Sequence, residues 1–174
     1  DYFDEAGQSL RKAFLKSPVE FSRISSHYNL KRFHPILQKT KAHYGTDYAA
    51  PKGTPILAVG DGVVSKSSYT KGNGKYVKIR HNKTYETQYL HMSRRAVSAG
   101  ESVKQGQVIG YVGSTGLATG PHVCFRFWKN GKQVNHLREE FPPSTPIEKD
   151  KMNAFQATVQ ELSTAISALS VARK

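Results

Sequence analysis

The chain is poor in cysteine, in acidic side chains and in long apolar runs. Cys124 is its only cysteine, so no internal disulfide can form. No apolar stretch approaches the roughly 20 residues that cross a bilayer as a helix, which excludes a helical membrane span. No charged segment followed by an apolar stretch stands at the start, so no signal peptide is visible. A first residue other than Met fits a processed or excised chain, and the missing signal leaves the compartment open. Asp and Glu number 13 against 26 Lys and Arg, a net charge of +13. Such a surface attracts polyanions, whether nucleic acid, anionic lipid or anionic wall polymer. The patterns of RNA-binding sheets, zinc fingers and helix-turn-helix modules are all missing, so charge alone does not argue for nucleic acid.

What is present fits one domain with appendages in 174 residues. Residues 1–22 show no clear period; Ser9–Leu15 is expected as a short helix or an extended arm. From 23 to 140 short runs of Val, Ile, Tyr and Phe alternate with Gly and Pro, the pattern of regularly spaced strands. Strands are expected over 54–59, from 63, and over 76–80, 86–91, 107–112 and 122–128. The Asn130-Gly131 pair marks a hairpin into 132–134. This predicts a mainly β domain, an antiparallel sandwich or barrel-like core. Residues 141–174 change character. Pro142, Pro143 and Pro146 interrupt the chain, then Met152, Phe155, Val159, Leu162, Ile166 and Leu169 recur at three- and four-residue steps. That spacing predicts an amphipathic α-helix from about Glu148 to Val171, its stripe covering the β core or a partner.

Four local patterns concern chemistry. His43 and Asp47 stand four positions apart around Gly45, in a loop entering a strand, and both side chains are good zinc donors. On the strand that follows, His122, Cys124 and Arg126 share one face by alternation, while Val123, Phe125 and Phe127 take the other. Alternation likewise puts Tyr89 and His91 on one face. Finally, Gly113-Ser-Thr-Gly116 and Gly120-Pro121 deliver the chain into His122. This segment lacks the Lys-Ser/Thr ending of a phosphate-binding loop and reads as a turn that lets the backbone come close to a site.

Taken in order, His43-x-x-x-Asp47, Tyr89-x-His91, the Gly-Ser-Thr-Gly turn and Thr-Gly-Pro-His122-x-Cys124 resemble the LytM/lysostaphin-type M23 metallopeptidases. Asp47-Tyr-Ala-Ala-Pro-Lys-Gly-Thr-Pro55, Gly60-Asp-Gly-Val-Val64 and Val103-Lys-Gln-Gly-Gln-Val-Ile-Gly110 agree, so the resemblance covers about residues 23–137. The flanking segments look like extensions of Gram-negative envelope members. The resemblance implies a LytM-like β core, a zinc ion, and hydrolysis of peptidoglycan stems or cross-links in the periplasm or outside the cell. It implies His43 and Asp47 as metal ligands, Cys124 at the third ligand position, and His91 and His122 as catalytic. Tyr44 and Tyr89 would support the site or line the substrate groove, though plain packing is the commoner role for such residues. The partners implied are peptidoglycan peptides, with other envelope proteins or further domains beside them. Nothing in the pattern sets an oligomeric state.

The family places His where this chain has Cys124. Three readings compete: the thiolate ligates zinc, the site binds metal weakly, or the cysteine was introduced to inactivate the protein. The first keeps a zinc endopeptidase whose metal is a poorer Lewis acid. The second makes the domain a degenerate LytM-like regulator of other wall hydrolases. A cysteine-protease pairing of Cys124 with a histidine would leave the His43/Asp47 motif idle.

Overall fold

In the computed structural model the described residues are 3–7, 9, 12–34, 38–141, 143 and 146–171. They form two compact units, Phe14–Glu140 and the paired segments Asp1–Ala13 and Phe141–Lys174.

In the larger unit β1 (Arg23–Ser26) leads into the hairpin of β2 (Asn29–His34) and β3 (Lys39–His43), then β4 (Thr46–Ala49) and β5 (Pro55–Leu57). The strands β6 (Gly62–Thr70), β7 (Gly74–Arg80) and β8 (Tyr85–Met92) make a meander. Short β9 (Arg94–Arg95), β10 (Ser102–Val103) and β11 (Val108–Tyr111) precede β12 (His122–Lys129) and β13 (Lys132–Val134). Among the described residues the main sheet runs β1-β4-β12-β8-β7-β6-β10, with β13 on β12. β5-β11-β9 and β2-β3 form two smaller sheets. Each strand pairing is antiparallel, as the alternating apolar pattern predicts. The β12–β13 turn carries Asn130 at φ 50° and Gly131 at φ 75°, the two positive φ values that a two-residue hairpin turn needs.

Register decides which side chains meet. Val123 stands opposite Tyr48 and Phe125 opposite both Thr46 and Tyr89, so these share a face. All are buried, together with Val64, Val77, Ile79 and Phe127. Phe14 closes over them, its ring 5.2 Å from that of Phe127 and 5.3 Å from that of Tyr85. Burying an aromatic of this size contributes about 2–3 kcal/mol, so the core lies on this face. Cys124 opposes Asp47 and Leu90 on the other face. The core and the candidate site thus occupy the two sides of the same strands.

In the smaller unit Phe3 bridges to Ser9, and Lys12 to Pro143. The Ile147 N–H donates to the Gly7 carbonyl at 3.0 Å. The Phe3 ring meets Phe155 edge-on at 6.1 Å. Leu10 and Arg11 of the expected Ser9–Leu15 element lie outside the described residues. The helix α1 runs Met152–Val171, behind a 3₁₀ turn over Lys149–Lys151 that occupies the start of the expected helical span. Its stripe is half-buried at Met152, Phe155 and Val159 and exposed at Leu162 and Ile166.

Candidate metal centre

β3 ends on His43, Gly45 turns the chain, and β4 presents Asp47 beside Cys124 of β12. A Cβ at Gly45 would come within 2.8 Å of the Phe125 carbonyl oxygen and 2.9 Å of Cys124 Sγ, so only glycine lets this turn press against β12. The ligand atoms of His43, Asp47 and Cys124 converge within 4.8 Å of one another. His43 Nε2 lies 3.0 Å from Asp47 Oδ1 and 3.4 Å from Cys124 Sγ. All three residues are buried.

Backbone carbonyls orient the three imidazoles. A carbonyl only accepts, so the ring nitrogen facing it carries the hydrogen. His43 Nδ1 donates to the His27 carbonyl at 3.1 Å, His91 Nδ1 to Thr115 at 2.8 Å and His122 Nδ1 to Gly120 at 2.8 Å. A ring that holds only this hydrogen keeps a lone pair on Nε2. Thr115 and Gly120 both belong to the glycine-rich segment that the sequence placed close to the site. Gly113 and Gly74 allow that approach: an added Cβ would fall 2.2 Å from the Ser93 backbone nitrogen or from the Thr115 carbonyl oxygen.

This geometry tests the fit of a cation. With its hydrogen on Nδ1, His43 points a lone pair at Asp47 Oδ1, an enclosed atom with no hydrogen-bond partner. Two acceptors 3.0 Å apart repel unless a proton or a metal cation sits between them. Donors of one tetrahedral zinc, at about 2.0–2.3 Å each, stand roughly 3.4 Å apart. An imidazole nitrogen, a carboxylate oxygen and a thiol sulfur at these separations fit such an ion.

Arg32 was not legible in the sequence. It reaches from β2 to donate from Nη1 to Asp47 Oδ2 at 3.0 Å and to Ser26 Oγ at 2.8 Å. That contact turns Oδ1 toward His43. Burial pushes the Asp47 carboxyl up, but the hydrogen bond and charge that His43 supplies when it holds a second proton, with the charge of His122, outweigh it and hold it below the ordinary range. Burial pulls His91 down to about 4 against the Thr115 carbonyl, leaving it neutral near pH 7. Burial and then the Asp47 charge push the Cys124 thiol up to about 12, with Arg126 opposing.

His91 and His122 face one another with ring centroids 4.8 Å apart, and His122 Nε2 lies 3.9 Å from Asp47 Oδ1. The expectation that Tyr89 shares a face with His91 is corrected. His91 has φ 64°, and the β7–β8 register shifts between the pairs Lys75/Met92 and Val77/Tyr89. This bulge turns His91 toward His122 and leaves Tyr89 in the core. The Tyr89 hydroxyl accepts the Val59 N–H at 3.0 Å, and its ring packs on Phe125 at 5.2 Å. Tyr44 is exposed beside Tyr28, 6.1 Å between ring centroids, and does not line the cleft. The cleft around the cluster is walled by Arg32, Phe33, Asn73, Leu117, Thr119 and Arg126.

An antiparallel β domain that gathers an imidazole, a carboxylate and a sulfur beside two further imidazoles has the make-up of a metallopeptidase. The model of Peptidase family M23 matches residues 41–136, more than half of the chain, and the chain belongs to that family. A similar protein is Peptidoglycan DD-endopeptidase ShyC of Vibrio cholerae, 50% identical over 161 residues that make up 92% of this chain and 37% of ShyC. The chain thus spans well under half of that relative's length. Among solved structures, a zinc containing peptidase from Vibrio cholerae superposes with TM-score 0.71 at 39% identity, covering 80% of this chain and 44% of that one. The catalytic domain of lysostaphin from Staphylococcus simulans superposes with TM-score 0.59 at 27% identity, covering 67% of this chain and 90% of that domain. The mainly β, LytM-type fold expected from the motifs is the fold observed.

Proposed function

We propose that this chain is a zinc-dependent endopeptidase of the bacterial envelope, periplasmic or extracellular, that hydrolyses peptide cross-links of peptidoglycan. His43, Asp47 and Cys124 hold the ion, and His91 and His122 handle protons. The supporting observation is the convergence of the three donor atoms within 4.8 Å beside two oriented imidazoles. The name of ShyC supports the substrate class and a D,D cross-link such as D-Ala to diaminopimelate.

Zinc held there by His43, Asp47 and Cys124 would supply Lewis acidity for peptide hydrolysis. The chain's own groups supply the rest. His91 is neutral near pH 7 and offers Nε2 as an acceptor, while its Nδ1–H stays on Thr115 and keeps the ring turned inward. His122, held by Gly120, presents Nε2 beside it. One of the pair takes the water proton on Nε2 and returns it to the leaving amine; the other, once it carries a hydrogen on Nε2 as well as Nδ1, donates to the developing oxyanion. Arg32 fixes Asp47 so that Oδ1 faces the cluster.

A second reading keeps the fold and drops the chemistry, making the domain a regulator of other wall hydrolases. It is favoured by one observation: Cys124 is packed into an apolar cluster with Tyr76 and Leu90. Zinc content and digestion of cross-linked muropeptides, measured for the chain and for Cys124→His, separate the two. Stoichiometric zinc and cleavage in both forms are expected of the enzyme. Zinc and cleavage in Cys124→His alone support the regulator. Neither in either form overturns the metallopeptidase proposal.

A further inference from the structure

The cleft wall carries two guanidinium groups, and Asp47 is the one carboxylate among its lining residues. Arg32 is committed to Asp47 and Ser26. Arg126 is placed differently. It follows Cys124 by two residues on β12 and so shares its face. Its positive charge stands beside Cys124 and opposes the rise of the thiol's pKa. Its Nε is enclosed with no partner, as is that of Arg32, but unlike Arg32 it has no carboxylate paired with it among the described residues. The stem lies close over Gly45, where an added Cβ would fall 3.0 Å from its Cγ.

A guanidinium has five donors in a rigid fork whose shape matches a carboxylate, and leaving one enclosed donor, here Nε, without an acceptor costs free energy. No carboxylate among the described residues is paired with this fork, yet the residue lines the cleft. Along β12, Arg126 lies about 7 Å from Cys124, the rise of two extended residues. An acid group one or two residues from the scissile bond of an extended peptide would come to rest there. We propose that Arg126 is a specificity-determining residue that receives a carboxylate of the substrate peptide, so that the cleft prefers acid-bearing peptides to their amides. The inference rests on the reading of this cleft as a peptide site.

The experiment titrates the full chain with N-acetyl-D-Ala-D-Ala and with its C-terminal amide, by calorimetry at physiological salt, with zinc content measured separately. The acid is expected to bind about tenfold tighter than the amide, the strength of one charged hydrogen-bonded pair. Arg126→Gln should bring the two probes within about threefold, and Arg126→Lys should retain part of the preference, keeping the charge but losing the fork. The variant changes the net charge of +13 by one, so loss of the preference localises it to Arg126 and not to the general positive field. Equal binding of acid and amide by the native chain, no binding of either, or an undiminished preference in Arg126→Gln overturns the inference. An Arg126-dependent acid preference in a chain that takes up no zinc sinks the metallopeptidase reading and leaves this one standing. Stoichiometric zinc without acid preference does the reverse.

Discussion

Acid should loosen this domain well before its carboxylates are protonated, and His136 is the residue through which to test it. His136 is 5% exposed, on the core side of the main sheet. Its Nε2 lies 2.8 Å from the Tyr48 hydroxyl and its ring meets Phe125 edge-on at 4.8 Å. Burial drives the imidazole from 6.5 down to about 4, opposed only in part by the Lys16 backbone. The unfolded chain takes up this proton near pH 6.5, whereas the folded chain refuses it until about pH 4. Stability is therefore full above the unfolded value and falls as pH drops through that window. The whole difference is about 3 kcal/mol, of which about 2 kcal/mol is expressed by pH 5. His91 and His81 are lowered by burial as well, so the native curve is steeper than one proton explains. His136→Gln isolates the contribution. Urea denaturation at pH 7 and pH 5 should show the native chain losing about 2 kcal/mol more than the variant. Parallel losses, or an NMR titration placing His136 near 6.5, would refute the reasoning.

Two further outcomes follow from the site's surroundings. Tyr89→Phe removes the acceptor of the buried Val59 N–H, so it should cost about 1–3 kcal/mol in urea denaturation while zinc content stays unchanged. A loss of zinc in that variant would contradict the core placement of Tyr89. Arg32→Ala frees Asp47 Oδ2, and chelator competition should show zinc affinity about 10–100-fold weaker; unchanged affinity would remove Arg32 from the supporting shell.

Much of the architecture could be read from local pattern. Side chains alternate along any regular strand, so the two faces of His122–Trp128 were legible from composition, and Cys124 and Phe125 do lie on opposite sides. Asn130-Gly131 announced its turn because few other residues accept two positive φ values in succession. The same rule misled at His91. A bulge at a non-glycine residue has no local signature, and this one is held from outside the strand: the His91 N–H donates to the Asn73 carbonyl at 2.9 Å, and the His91 carbonyl accepts from Thr115 at 3.4 Å. Those contacts offset a backbone strain of about 1–3 kcal/mol.

From residues alone come the donor types, their order and the strands that carry them; the rest belongs to three dimensions. Arg32 reaches Asp47 only because the β2–β3 hairpin brings it there, and no spacing in the chain encodes that contact. The protonation pattern of His43, His91 and His122 rests on the carbonyls of His27, Thr115 and Gly120. Every residue has a carbonyl, so the sequence carries no mark of which ones face a ring. Only folding selects them, and with them the nitrogen that each imidazole turns toward the cleft.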